Sequence, residues 1–550
     1  MKQPKKIFPR SPLTSPKESG VLRTSRENRS AQSQTVAVPS RNTAGLGGSE
    51  MKKQDEIDYP PLQLLVNPPT PPVQRPTTAA NFFSEEISSE EENLFGEIVI
   101  EREQGKPEKK EVPGGRPGAA TNGNLSSEKG QHISLTAKAK QAKPQQKKNF
   151  GTSICFYFQV HQPFRLRNYN FDEIGKDHYY ENYDQNVSIL NKVADKCYLP
   201  TNAKLLELMM RHKGKFKVAF SFSGCALEQF ELYRPDVLRS FKALVNSGYV
   251  EVLSETYYHS LSFLYSKEEF DRQVEKHKQK IKELFDEEPK VFRFSELIYS
   301  NELANHIAAK GYKGMLCEGT DKWLKGRSPN HVYLSPENLN FSLLLKNYHL
   351  SDDIAFRFSN REWENWPLTA EKFATWLHDH AADAETINLF LDYETFGEHQ
   401  WKETGIFDFL DYLPEYVLNH PDFSFRTPSE VIQTYTARDV YDVPEYSSWA
   451  DEERDLSAWR ENEMQKEALE KIYALEKTVL QTHNEDLIKV WSKLQTSDHF
   501  YYMSTKFWAD GDVHKYFSPF PTPYDACVYY MNVISDLEKT VEEELRKNRS

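Results

Sequence analysis

The chain has 550 residues and a formal net charge of −13, but composition and charge are divided unevenly along it. Residues 1–150 carry 23 Lys/Arg against 17 Asp/Glu (net +6), which leaves 46 against 65 (net −19) for the other 400 residues. This composition excludes collagen, coiled-coil and disulfide-framed miniprotein classes. The acidic majority speaks against nucleic acid or an anionic membrane as partner.

The first 150 residues predict a disordered, low-complexity tail. They contain 16 of the 30 prolines, 11 of the 23 glycines and no tryptophan, so too little apolar surface offsets the entropy of ordering them. A proline-rich segment, Tyr59–Pro76, and an acidic run, Ser84–Asn93, could bind an unidentified protein partner. A solvated extension is the interpretation that the composition favours.

The location of the protein is predicted from what the chain lacks. The basic start is not followed by an apolar stretch, and no run of about 18 apolar residues occurs, so we expect neither a secretory signal nor a membrane span. The five cysteines are scattered and form no CxxC pair, as is typical of reduced structural thiols. We therefore expect a cytoplasmic protein, with no cofactor and no metal.

From Ile154 the pattern changes to strands that alternate with helices. The predicted strands are residues 154–160, 217–224, 249–255, 291–296, 314–319 and 386–394. The predicted helices between them are residues 201–214, 235–248, 266–285, 302–310 and 369–381. Such alternation favours parallel βα units, and there are enough of them for a closed or nearly closed barrel.

Strand signals fade beyond Gly405, where residues 456–480 and 525–547 have helical patterns. We therefore predict an α/β chain with three parts. These are the tail at 1–150, a catalytic barrel-type domain at 151–404 and a C-terminal helical domain at 405–550.

Ionisable side chains follow four of the predicted strands. The first strand is followed by His161 and Gln162, and the other three end at Glu255, Glu296 and Asp392. In a parallel barrel the carboxyl ends of the strands meet at one rim, where active sites of this architecture lie. One such acid could simply cap a helix, but four converging groups favour a functional site.

Two carboxylates and a histidine among aromatic residues suit a sugar, because aromatic faces pack against pyranose rings. A retaining glycosidase needs two carboxyl groups about 5–5.5 Å apart, a distance that sequence spacing does not give. His378-Asp379-His380 is the competing metal motif, but it lies in a helical stretch where positions i and i+2 face different ways. A solvated helix surface is the favoured interpretation there. No dinucleotide, P-loop, zincin or GxSxG motif occurs.

Five segments in the right order resemble glycoside hydrolase family 57, in particular its α-amylase-type members. They are Phe158–Pro163, Gly248–Leu261, Phe292–Asn301, Leu391–Trp401 and Leu494–Met503. The resemblance implies an incomplete (β/α)7 barrel, followed by a helical domain that contributes to the active-site cleft. It also implies a retaining mechanism on α-glucans.

The resemblance further implies roles for individual residues. The family nucleophile falls on Glu296 and the general acid/base on Asp392. The donor-sugar pocket falls on His161, Glu255 and His259, with a contribution from Asp498 and His499 of the helical domain. We add five polar and aromatic neighbours to the predicted substrate-binding set: Gln162, Tyr257, Tyr393, His399 and Trp401.

The predicted function is retaining hydrolysis of α-1,4-glucans, with a glucan or maltooligosaccharide as the binding partner and neither nucleic acid nor membrane. Two alternatives stay open at this point. One is an α-glucan transglycosylase of the 4-α-glucanotransferase or branching type. The other is a catalytically silent glucan-binding protein. A metal-dependent carbohydrate deacetylase on a similar barrel is a weaker, third possibility.

Overall fold

The computed structural model describes residues 150–508 and 513–548, so the predicted tail lies outside the described residues except for Phe150. Ten strands are described: β1 Thr152–Val160, β2 Val218–Phe222, β3 Val250–Val252, β4 Val291–Arg293, β5 Gly314–Glu318, β6 Val332–Leu334, β7 Ser342–Lys346, β8 Thr386–Asp392, β9 Phe423–Phe425 and β10 Asp439–Val440.

Eighteen α-helices are described in the same ranges. They are α1 Tyr183–Val193, α2 Leu199–Arg211, α3 Gly224–Tyr233, α4 Pro235–Asn246, α5 Lys267–Phe285, α6 Asn301–Ala309, α7 Asp321–Leu324, α8 Tyr348–Asp352, α9 Ala370–His378, α10 Ile406–Leu418, α11 Pro428–Thr434, α12 Ser457–Arg460, α13 Glu463–Ala474, α14 Glu476–Gln481, α15 Glu485–Lys493, α16 Ser497–Tyr501, α17 Val513–Phe517 and α18 Pro523–Lys547.

The sheet is built around β1. All nine residues of this strand are buried, which fits an apolar run covered on both faces. β1 pairs in parallel with β2, β8 and β9, and β2 pairs in parallel with β3. β4, β5, β7 and β8 are also paired in parallel, one to the next, whereas β6 is antiparallel to β7. A single bridge between Ser254 and Phe292 joins the end of β3 to β4. The prediction of an α/β chain with parallel strands is confirmed.

Two large apolar clusters position the strand ends. The first surrounds β1, β2 and β8 and also includes Ile406, Phe409 and Phe425, so residues after Gly405 share a core with the first strand. The second joins β4, β5 and β7 to the C-terminal helices through side chains such as Trp491 and Tyr530. The helices that follow residue 456 therefore lie against the strands that end near Glu296.

The predicted strands and helices are all present, with shifted ends, but the structure adds elements that were not predicted. Among them are the short strands β6 and β7, and the strands β9 and β10 beyond Gly405. Residues 456–480 are helical as predicted, and the chain divides them among α12, α13 and α14. The side chain of Asn462 accepts a hydrogen bond from the Gln465 amide and begins a new helix. None of the described helices is both long and apolar enough to cross a membrane.

Candidate active site

Glu296 lies just after the three-residue strand β4, in an unusual backbone conformation. Its φ is +58° and that of Leu297 is +53°. Residues with a side chain rarely adopt this left-handed region, which costs about 1–3 kcal/mol, and such residues are enriched at functional sites as well as at turns and helix ends. The fold therefore turns the Glu296 side chain out of the strand at the expense of backbone energy.

The Glu296 carboxylate is held by side chains from three other segments. Ser497 of α16 donates to Oε1 at 2.9 Å, and the indole Nε1 of Trp449 donates to Oε2 at 3.1 Å. The Nε2 atom of His259 faces Oε1 at 3.4 Å. The side chain is still 19% exposed, which leaves a route for a reacting molecule.

His259 lies between two carboxylates. Its Nδ1 is 3.3 Å from Oε2 of Glu255, on the opposite side of the ring from Glu296. Glu255 is completely buried and also accepts long hydrogen bonds of 3.4 Å from Gln159. The His259 ring stacks on His161 with 4.0 Å between centroids.

His161 connects this group to the C-terminal helices. Its Nε2 is 2.8 Å from Oδ2 of Asp498 in α16, and its Nδ1 is 2.6 Å from the hydroxyl of Ser223. His161, Glu255, His259, Glu296 and Asp498 thus form one continuous network, called the cleft network below. All five were predicted as site residues.

The charges in the cleft network favour an ionised Glu296. Burial alone would lower the pKa of His259, but its bonds to Glu255 and Glu296 outweigh burial and raise that pKa to about 9. Burial would raise the pKa of Glu296, but the hydrogen bond and charge of His259 outweigh it, and the pKa is lowered. At neutral pH the pair is therefore an imidazolium and a carboxylate.

Asp392 at the end of β8 has the opposite electrostatic character. Burial and the charge of Glu296 raise its pKa to about 6, against the lowering effect of Arg293. No side chain among the described residues donates a hydrogen bond to its carboxyl group. Asp392 therefore shares the electrostatic environment of Glu296 but holds a proton far more readily.

Besides Gln159, Ser223 and Ser497, described above, two larger side chains that contact this site were not predicted. Arg293 is fully buried, with Nη1 3.6 Å from Oε2 of Glu255, and Trp449 donates to Glu296 from a loop before α12. A lone arginine inside the apolar strand VFRF was a signal for a buried charge. No local pattern marks Trp449, which reaches the site only through the tertiary fold.

Several predicted residues lie beside the cleft network or in the core. The Nε2 atom of Gln162 donates to Oε1 of Glu394 at 3.4 Å. The Tyr257 hydroxyl donates to Glu228 at 2.9 Å within a small separate apolar cluster. Tyr393 is fully buried in the first apolar cluster, whereas Asp392 lies on the face of β8 that also carries Phe390, because alternate residues of a strand share a face.

Three other predicted residues face elsewhere. His499 packs against Tyr530 at 5.4 Å between ring centroids, and burial lowers its pKa to about 4. The ring centroids of His399 and Phe517 are 5.9 Å apart. Trp401 is 48% exposed, and the amine of Lys196 lies over its ring. The His399 ring thus packs near Phe517, and the Trp401 ring near Lys196.

The competing metal motif lies on a helix end. The Nε2 atom of His378, the last residue of α9, is 3.2 Å from the backbone oxygen of Val417. Within residues 150–508 and 513–548, no group of three or more His, Cys, Asp or Glu side chains is arranged to hold a metal ion.

Comparison with known proteins identifies the family. The model of glycosyl hydrolase family 57 matches residues 155–444. A Methanocaldococcus jannaschii protein named "Putative alpha-amylase" is 44% identical over 408 residues, which are 72% of this chain and 86% of that protein. The chain belongs to glycosyl hydrolase family 57. The predicted family and the prediction of a glycoside hydrolase are confirmed.

Solved structures agree on the fold. A branching enzyme of this family from Pyrococcus horikoshii has a TM-score of 0.51 at 14% identity. The matched region is 67% of this chain and 88% of the branching enzyme. A second one, from Thermococcus kodakaraensis, has a TM-score of 0.50 at 14% identity, with 66% and 87% covered. The chain spans 56% of the 4-alpha-glucanotransferase from Thermococcus litoralis, with 18% identity, 64% of this chain covered and a TM-score of 0.49. At these identities the similarity concerns the fold alone.

Proposed function

We propose that this chain hydrolyses α-1,4-glucans with retention of configuration, with Glu296 as nucleophile and Asp392 as general acid/base. The observation that carries the proposal is the opposite treatment of the two carboxyl groups. Donors keep Glu296 ionised, whereas burial and the charge of Glu296 raise the pKa of Asp392 to about 6. A retaining glycosidase needs this division between an anion and a proton donor.

In the first step, Asp392 donates its proton to the glycosidic oxygen while a carboxylate oxygen of Glu296 attacks the anomeric carbon. The bond to the leaving chain breaks, and a glycosyl ester of Glu296 forms. In the second step, the Asp392 carboxylate takes a proton from water, and that water displaces Glu296. His259 balances the charge of Glu296 in the free enzyme, and Glu255 holds His259 in place.

Binding roles follow from exposure. The Asp498 side chain is 20% exposed while bonded to His161, so we assign it to a sugar hydroxyl beside the reacting bond. Gln162 is assigned to the same pocket. Trp401, being exposed, suits a glucose unit farther from Glu296, with His399 beside it. Tyr257, Tyr393 and His499 remain predicted binding residues, although their contacts favour roles in packing.

We also propose the finer architecture. Strand pairings run from β1 through β2, β3, β4, β5, β7 and β8 and back to β1, which supports an incomplete (β/α)7 barrel. The division into 151–404 and 405–550 stays a prediction, and α10 and β9 pack with the strands. The cytoplasmic location and a protein partner for the tail also stay predictions.

The test is a Glu296→Gln variant assayed on maltooligosaccharides with and without azide. We expect turnover to be abolished with the fold intact, and azide to restore slow turnover in a Glu296→Ala variant with a β-glycosyl azide as product. Near-wild-type activity of the Gln variant would refute the proposal. Product sizes distinguish hydrolysis from chain transfer, and a chelator should leave the activity unchanged.

A further inference from the structure

We propose that Trp449 is a positioning residue, whose indole N–H fixes the Glu296 carboxylate and whose ring is held over the buried guanidinium of Arg293. The inference rests on the proposed nucleophilic role of Glu296 and extends it to the segment that precedes α12. It assigns a function in the reaction to a residue outside the predicted set.

Backbone contacts align Trp449 with the nucleophile. Ser447 and Tyr299 exchange two backbone hydrogen bonds of 2.9 Å, three residues beyond Glu296. The backbone N–H of Trp449 then donates to the backbone oxygen of Glu296 at 3.3 Å. Within the segment that precedes α12, the Ser448 hydroxyl donates to the backbone oxygen of Asp455 at 2.6 Å. The indole therefore meets the carboxylate in a register that the backbone sets.

Two cations flank the indole ring. The guanidinium carbon of Arg293 is 4.8 Å from the ring centre, and the amine of Lys346 is 5.3 Å from it. Among the described residues, none forms a hydrogen bond with a guanidinium nitrogen of Arg293, although the side chain is fully buried. The aromatic face of Trp449 and the carboxylate of Glu255 therefore help to stabilise this charge. Cations near the ring also draw electron density from it, which makes the N–H a stronger donor.

The two carboxylate oxygens of Glu296 have separate donors. Ser497 bonds Oε1 and Trp449 bonds Oε2, so rotation of the carboxylate plane is restricted. A nucleophile held within a few tenths of an ångström of its attack geometry reacts faster without binding substrate more tightly. Loss of the Trp449 donor should therefore slow formation of the glycosyl ester and leave substrate affinity almost unchanged.

The pH profile offers an independent readout. The charged groups that face Glu296 are His259 from the loop after β3, Asp498 from α16, Arg293 from β4 and Asp392 from β8. A donor to the ionised form lowers the pKa of a carboxyl group, so its removal raises that pKa. Because Glu296 must be ionised to attack, the acid limb of kcat/KM should move to higher pH.

The experiment replaces Trp449 with Phe, which keeps an aromatic ring against Arg293 and Lys346 but removes the N–H. We expect kcat to fall about 10- to 100-fold, the loss of one hydrogen bond to a charged group, with KM within about threefold. The fall should be the same on maltooligosaccharide and on α-maltosyl fluoride, whose leaving group needs no proton. The matched control is Trp366→Phe, at an exposed indole under Arg361.

A second substitution guards against misfolding. Benzothienylalanine at position 449, introduced by nonsense suppression, has the shape of tryptophan without the N–H and should reproduce the kinetic loss at an unchanged melting temperature. If this variant had the kcat of the wild type and the same acid limb of kcat/KM, the inference would be overturned. A loss confined to maltooligosaccharide would place Trp449 on the acid/base side and would also overturn it. Failure of the proposed function is recognised separately, by activity that survives in Glu296→Gln.

Discussion

The ends of β4 and β8 each present a carboxylate to the same site, but they are built in opposite ways. β4 has three residues, and the chain then turns through a left-handed Glu296 whose carboxylate contacts Ser497, Trp449 and His259. β8 has seven residues paired in register with β1, and Asp392 is the last of them, with an ordinary extended backbone. Within the described residues its carboxyl group receives no side-chain donor.

This difference corresponds to the two chemical tasks. A nucleophile performs best when it is ionised and fixed, so the donors at Glu296 suit its proposed role. A general acid/base must lose and regain a proton in each turnover, and a donor that stabilised only one form would hinder it. The long, regular strand thus fixes the position of Asp392, while its protonation is left to burial and neighbouring charge.

Removal of the proton donor should have the largest effect. Asp392→Asn is expected to lower kcat/KM on maltooligosaccharides about 10³-fold, within the usual range for general acid–base catalysis. Formation of the glycosyl ester from α-maltosyl fluoride should be nearly unaffected, because fluoride leaves without protonation. Fluoride release from α-maltosyl fluoride and the appearance of new reducing ends from maltooligosaccharides, both followed by rapid mixing, compare the two substrates. Equal losses on both would contradict the assignment of Asp392.

Arg293 links the two strand ends, because its charge lowers the pKa of both carboxyl groups. Arg293→Met should reduce the free energy of unfolding, since the buried Glu255 then loses the guanidinium and keeps His259 as its cationic partner. Wild-type kcat/KM should fall as pH rises through the Asp392 pKa of about 6. In the variant this limb should move to higher pH. Arg293→Lys keeps the charge, so a shift of equal size in the Lys variant would argue against an electrostatic cause.

Asp498 and His499 are adjacent in sequence but differ in their contacts. Asp498 bonds His161 in the cleft network, whereas His499 packs on Tyr530 of α18. We expect Asp498→Asn to lower kcat/KM about tenfold, as the loss of one hydrogen bond to a charged group would. His499→Gln should mainly lower the melting temperature. Steady-state kinetics and thermal unfolding of both variants test this, and the reverse ranking of kcat/KM would place His499 at the sugar.

The strands and their charged ends could be predicted because their signals are local. The uninterrupted, mostly apolar run of residues 154–160 marks β1, and an acid that ends an apolar strand, as Glu296 and Asp392 do, stands out in the sequence. The short strand β7 was missed because five residues bounded by polar turns resemble a loop.

Side-chain direction and distant partners were not accessible from the sequence. Tyr393 follows Asp392 directly. Its side chain points into the first apolar cluster, and this direction depends on where the strand ends rather than on residue type. Trp449 lies 153 residues from Glu296 in sequence, so its contact exists only because the loop pairs with Tyr299. Arg293 was visible as a charge in an apolar strand, but its neighbours Glu255 and Trp449 were not.

The smallest expected effect concerns Tyr393, which separates core packing from sugar binding at the residue next to the general acid/base. Its hydroxyl donates to Oδ1 of Asn202 at 2.6 Å inside the first apolar cluster. Tyr393→Phe leaves that buried acceptor without its donor, and we expect the free energy of unfolding to fall by about 1–2 kcal/mol. The kcat/KM value should stay within twofold of wild type, because the ring that packs behind Asp392 is kept. Chemical denaturation and steady-state kinetics measure the two quantities on one preparation. A large loss of kcat/KM at unchanged stability would mean that the hydroxyl reaches the glucan, and that β8 places two consecutive residues at the site.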